Sequence, residues 1–307
     1  MAMDVPRLMY EHLRLLPAHV PQIDLFIHSN GGDVVVPWRI VSLLRERCDR
    51  LSVLIPHRAF SAATLTALGA DEIVMLPMAM LGPIDPTTSN AFNPRDPSNQ
   101  IIGIRVEDVS AYVALVREDV GITHEDELVQ AFNLLAEKVH PLALGNVKRT
   151  SQQSRMMAKK LMLLHMDRSA DDHKIDQIVE SLSSRLFYHG HPINRREAKE
   201  DLGLKVVEVN PEIEGLIWDL YCDYESEMKL LETFNPALEF LGSGAVPAAQ
   251  PAWSSYKPPT PYLLAYVESV LLGMCFEQQQ EIFATLLPNG LVQANGSLIS
   301  MGWTNFP

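Results

Sequence analysis

Ser61, in Pro56-His57-Arg58-Ala59-Phe60-Ser61-Ala62-Ala63-Thr64-Leu65, and the pair Gly31-Gly32, in Ser29-Asn30-Gly31-Gly32-Asp33, are the residues whose types suit acyl transfer. That chemistry needs a nucleophile, a base to take its proton, and donors aimed at the oxyanion that develops on a carbonyl. A serine at the first turn of a helix, after a buried strand, faces exposed amides and a helix dipole that favour negative charge. Ala62 and Ala63 are small enough for a substrate backbone to come close, and Gly31 and Gly32 present amides that no Cβ shields. Gly31, Gly32 and Ala62 are therefore the candidate oxyanion donors. Each signal alone has an ordinary reading, an N-cap serine or a tight turn. Their pairing on two successive strand ends is what singles them out.

The surrounding pattern predicts the elements that must hold them. Residues 1–16 carry apolar positions at helical spacing, ended by Pro17 and Pro21, and residues 23–27 read as a strand. After the glycine turn, Val36, Ile40, Val41, Leu43 and Leu44 repeat with a helical period, with Asp33 and Pro37 suited to the helix start. A second unit has a buried strand over 51–55, a turn over 56–60 and a small-residue helix over 61–69; a third strand follows at 72–76. Strands alternating with helices imply an α/β fold with a largely parallel sheet, in which ligands sit beyond the carboxyl ends of strands. Residues 86–104, rich in Pro, Asn, Ser and Thr, read as a surface loop or flap. Helical patterns resume over 106–116, 125–138 and, at greatest length, 142–166. A capped helix begins within 193–198, Gly203 ends it, and 204–209 reads as a strand.

Ile23-Asp24-Leu25 to Gly31-Gly32, the Ser61 run, Ala70-Asp71-Glu72-Ile73-Val74-Met75 and Leu81-Gly82-Pro83-Ile84-Asp85-Pro86 together resemble the serine dehydrogenase proteinase family, a distant relative of ClpP and of signal peptide peptidase A. The resemblance runs over about residues 23–209, including Val139-His140-Pro141-Leu142-Ala143-Leu144-Gly145 and His191-Pro192-Ile193, and thins beyond 212. It implies a ClpP/crotonase-like fold, an ATP-independent serine peptidase activity on peptide or protein substrates, and a homo-oligomer. It also implies a Ser, Asp, His triad in that chain order. Ser61 is then the nucleophile, Asp85 the acid and His140 the first candidate for the base, with His189 the second. The Ser-Lys pair of signal peptide peptidases makes Lys138 and Lys148 rivals, although most helical lysines are solvated. Ala63 stands where the family carries glycine, and Asn30 where it carries proline. The strands that normally precede the first one seen here are missing, so the core is cropped on this reading. A scaffold of the same fold without catalysis is the alternative.

Composition narrows the remaining classes. The 307 residues are 47% hydrophobic, with a formal net charge of −13, which repels polyanions. The best basic segment, Lys148, Arg149, Arg155, Lys159 and Lys160, alternates with polar and Met positions as on a solvated helix face, so no nucleic-acid partner is expected. Cys48, Cys222 and Cys275 fit neither a zinc spacing nor a disulfide framework, which suits a reducing cytoplasm. No run reaches the roughly twenty apolar residues of a membrane span, and the first residues lack a signal-peptide core. Gly31-Gly32 is followed by Asp-Val-Val-Val rather than a dinucleotide fingerprint, so no cofactor is expected. His189 and His191 lack a nearby third ligand, and no metal is expected either. His28 and His57 read as residues that orient turns or pack beneath the sheet. The domains read as a peptidase domain over 1–211, a helical connector over 212–240, a Pro/Ala-rich linker over 241–261 and a small C-terminal unit over 262–307.

Overall fold

A computed structural model describes residues 1–185 and 191–306. The chain gathers into two units, one of Met1–Pro6 with Pro17–Glu214 and the other of Arg7–Leu16 with Gly215–Pro307. The first helix, α1 (Val5–Leu15), thus belongs mostly to the second unit.

In the first unit, β1 (Val20–Phe26), β2 (Cys48–Ile55), β4 (Glu72–Met75) and β9 (Val206–Val207) form one sheet in that order, parallel throughout. Leu25 pairs with Val53 and Val53 with Ile73, which brings the carboxyl ends of β1, β2 and β4 together. β4 is buried along its whole length and most of β2 is too, as expected of strands covered on both faces. α2 (Val36–Arg45) and α3 (Ala62–Leu68) follow β1 and β2. All seven residues of α3 are buried, because alanine and threonine let the helix lie close to its neighbours where larger side chains would hold it off. A second, three-stranded sheet runs β3 (Arg58–Ala59), β5 (Met80–Leu81), β8 (Ile193–Asn194). These pairs are too short to be legible as strands in sequence.

The loop over 86–104 is closed at its base, where β6 (Thr87–Thr88) pairs with β7 (Ile104–Arg105) and Asn93 Nδ2 donates to the carbonyls of Thr88 and Ile102, both at 2.9 Å. Beyond it come α4 (Val106–Ala114), α5 (Glu125–Lys138) and α6 (Pro141–Met162). α6 ends four residues before the pattern suggested, and α7 (Arg168–Glu180) starts anew at Asp167, whose carboxylate accepts the Ser169 and Ala170 amides at 2.9 Å. α8 (Arg195–Glu200) begins as expected, capped by Asn194.

The second unit adds α9 (Pro211–Glu227, from Gly215 on), α10 (Pro236–Gly242) and a five-stranded sheet of β10 (Ala248–Ala249), β11 (Ser254–Tyr256), β12 (Tyr262–Ser269), β13 (Leu272–Leu286) and β14 (Val292–Phe306). β13 is its spine: β14 runs along one side, and β12, β11 and β10 share the other. Phe240, Ile282 and Ala284 form one buried cluster within it. The stretch 241–261, a linker by composition, contributes β10 and β11, because pairing with β13 supplies the order that its Pro/Ala content conceals. Among the described residues no helix is long and apolar enough to cross a membrane, and no three His, Cys, Asp or Glu side chains gather as metal ligands.

At the amino end of the first unit's sheet, Asp71 accepts the Leu51 amide at 2.7 Å and Arg45 at 3.1 Å, while Arg45 Nη2 donates to Gly69 O at 2.8 Å. Burial raises the pKa of Asp71, but the Leu51 amide and Arg45 outweigh it and hold the group below its ordinary value. His165 Nε2 lies 2.9 Å from the carbonyl of Leu68, and burial lowers its pKa. The folded chain therefore binds fewer protons than the unfolded one just below the ordinary histidine value, so acid favours unfolding there. Thermal unfolding should show Tm falling between about pH 7 and pH 5.5, with a smaller fall in His165→Gln. Equal falls in the two proteins would remove His165 as the cause.

Candidate active site

Two turns meet at the carboxyl ends of β1 and β2. Ser29 bridges Ala59 in parallel fashion, its amide donating to Arg58 O and its carbonyl accepting the Phe60 amide, both at 3.0 Å. The bridge lies beyond the β1–β2 ladder and brings the glycine turn beside that of Ser61. A Cβ placed on Gly31 would lie 2.7 Å from Phe60 O, 2.9 Å from Ser61 Cβ and 3.2 Å from the Ala62 nitrogen. Gly31 also has φ +102°, so both contact and conformation require glycine. Met1 lies along the same turn: its amino group contacts Gly31 O and its carbonyl accepts the Asp33 amide at 3.0 Å.

Ser61 itself has φ 53° and ψ −113°, a conformation that L-residues rarely adopt. It is half-buried, its carbonyl accepts the Leu65 amide at 3.0 Å, and its Oγ forms no hydrogen bond among the described residues. A helix-capping serine would have an extended backbone and bond its Oγ to an amide of the first turn. Ser61 does neither. Strain of this kind persists only where the surroundings over-determine it, and it turns the side chain out of a sharp strand-to-helix corner.

The expected oxyanion donors separate on inspection. The Gly31 amide donates to Ser29 Oγ at 3.0 Å, so it is already engaged. The amides of Gly32 and Ala62 donate to no group among the described residues. α3 is only seven residues long, so these two discrete donors, rather than a long helix dipole, set the local electrostatics.

The remaining expected residues fall in three places. Asp85 is 3% exposed and ends the segment 82–85, which abuts the Ser61 turn: a Cβ on Gly82 would come within 2.8 Å of the Phe60 ring. His140 is exposed at the start of α6, its ring stacked on Phe92 with centroids 4.8 Å apart and its Nδ1 accepting the Leu142 amide at 3.1 Å. That capping role follows from the proline after it, which opens the helix at Pro141. Lys138 and Lys148 are exposed on α5 and α6, as solvated helical lysines are. None of these three is joined to Ser61 by a hydrogen bond among the described residues. His189 lies outside the described residues. His191 pairs with Glu197 at 2.9 Å. His28 and His57 stack with ring centroids 5.5 Å apart where the two strands end.

Sequence reasoning missed the hydroxyls that fasten these turns, Ser29 on Gly31, Thr64 on Ala59 and Gly82, and Ser154 on Ile84. Nothing in their spacing marks them, since each bonds to backbone.

The chain is similar to known proteins over much of its length. Two uncharacterized proteins of Methanocaldococcus jannaschii are 28% identical over 216 residues and 29% identical over 209 residues. The matched regions cover 70% and 68% of this chain, and 61% of each relative's length. Residues 3–109, which hold both glycines, Ser61 and Asp85, match the family of ClpP-like SDH-type serine proteinases.

Proposed function

We propose that this chain is a serine hydrolase that cuts peptide bonds, with Ser61 as nucleophile and the Gly32 and Ala62 amides as oxyanion donors. The observation that carries the reading is the left-handed backbone of Ser61, whose Oγ has no partner among the described residues, beside two amides that donate to none of them. Oγ attacks the scissile carbonyl carbon, a base takes its proton, and the carbonyl oxygen gathers negative charge between the two donors. The base returns the proton to the leaving amine as the acyl-enzyme forms, and water then releases the acyl group by the same path. Asp85, buried beside the Ser61 turn, is the acid that orients the base, and the base is a histidine. His140 would need to leave its cap on α6 to serve. The four candidates to be separated are therefore His28, His57, His140 and His189.

A ClpP/crotonase-like assembly of identical chains in the cytoplasm fits this reading; the three cysteines, none in a disulfide, support a reducing setting. The second reading, a scaffold without catalysis, is favoured by the absence of a described bond between Ser61 and His140, Lys138 or Lys148.

Incubation with a fluorophosphonate, followed by peptide mapping, decides between them. The expected result is a phosphonyl group on Ser61, formed as Oγ displaces fluoride, and its loss in Ser61→Ala. Peptidase activity should fall in that variant by at least about a thousandfold. No labelling of the intact protein would favour the scaffold. Replacing each of the four histidines with Asn, one at a time, identifies the base as the variant that loses the acid limb of the labelling-rate profile.

Gly31→Ala tests the approach of the two turns. Its methyl cannot avoid Phe60 O at 2.7 Å without moving the Ser61 turn. It should cost about 1–3 kcal/mol of stability and slow labelling of Ser61. Unchanged labelling and unfolding would show that the turns do not need this contact.

A further inference from the structure

We propose that Thr64 is a positioning residue, whose buried hydroxyl clamps the Ser61 turn to the segment carrying Asp85 and so fixes the two relative to each other. The inference rests on the hydrolase reading and adds to it a residue that touches no substrate. Thr64 is fully buried, three residues into α3. Its Oγ1 lies 2.8 Å from Ala59 O, 2.8 Å from Gly82 O and 3.2 Å from the Gly82 nitrogen. A hydroxyl has one proton and two lone pairs, so it accepts the Gly82 N–H while its proton is shared between the two carbonyls. Ala59 stands two residues before Ser61, and Gly82 opens the segment that ends at Asp85.

The same helix contains an internal comparison. Thr66 is equally buried, yet its Oγ1 donates to Ala62 O at 3.1 Å, the bond a helical threonine ordinarily makes to the carbonyl four residues back. Thr64 makes no such bond within its helix and ties together two segments outside it. Valine has nearly the shape of threonine, so packing alone does not call for the hydroxyl at position 64. Segment 82–85 is held from its far side as well, where Ser154 Oγ of α6 donates to Ile84 O at 2.5 Å and the Ile84 amide donates to Leu182 O at 3.0 Å. Thr64 is the anchor that faces the Ser61 turn.

The test compares rate constants for fluorophosphonate labelling of Ser61 in the full chain and in Thr64→Val, Thr64→Ser and Thr66→Val, each well below its own Tm. A displacement of about an ångström at a reacting group costs up to a hundredfold in rate, so Thr64→Val should label about 10–100-fold more slowly. Thr64→Ser, which keeps the hydroxyl, should label within about threefold of the parent, and Thr66→Val should label like the parent even where its Tm falls. Thr64→Ala removes the same hydroxyl without setting a methyl against Gly82, and gives the same comparison should the valine variant not fold. Parent-like labelling of the Thr64 variants that lack the hydroxyl, or equal slowing in Thr66→Val, overturns the proposal. An unlabelled parent protein overturns the hydrolase reading itself, a different outcome from a labelled parent with unaffected variants.

Discussion

Two main-chain hydrogen bonds, Ser29 N–H to Arg58 O and Phe60 N–H to Ser29 O, govern everything at the carboxyl end of the sheet. They form a parallel bridge, Ser29 to Ala59, after both strands have ended and two residues out of the β1–β2 register. The bridge fixes the height of the two turns relative to each other along the strand direction. The glycines and the serine are thus brought level by main-chain pairing rather than by side chains. The remaining freedom of the Ser61 corner, its rotation about the strand axis, is removed by the close approach of Gly31 and by the burial of α3 behind it. A backbone as unfavourable as that of Ser61 can be kept only in such a fully constrained place.

Much of this was legible in the residues. β2 and β4 announce themselves as apolar runs, the second half of β1 as a strand, α2 as a periodic pattern, and α5 begins and ends where its spacing predicts. The glycine pair and Ser61 were visible because their chemistry is carried by residue type: glycine for close approach, serine for nucleophilicity, alanine for room. What sequence could not show was long-range pairing. β3, β5 and β8 are two residues each and exist only through one another. α7 is charged at about half of its positions, and its start at Asp167 is an N-cap that a continuing helical pattern conceals.

The candidate base shows the limit most plainly. His140 has the motif that the family resemblance points to, but its placement depends on how the chain between β5 and α6 folds, and there the ring caps a helix and stacks on Phe92. Gly31 teaches the same lesson on a smaller scale. Its type suggested a donor, whereas its amide is taken by Ser29 Oγ, two residues earlier, in a turn of its own. Residue type limits what a position can do; the hydrogen-bond partners decide what it does.

The division of the chain has a consequence for the order in which it can become ordered. Residues 7–16 cluster with a unit whose other members lie beyond residue 214, and His12 and Leu13 are buried there. During synthesis this segment leaves the ribosome about two hundred residues ahead of the partners that cover it. Its apolar stripe must wait, uncovered, while the parallel sheet beside it in sequence is already able to assemble. For the same reason, a gene cut at position 214 does not isolate a self-sufficient half: it strands the opening helix, and a C-terminal fragment made alone lacks the piece that completes it.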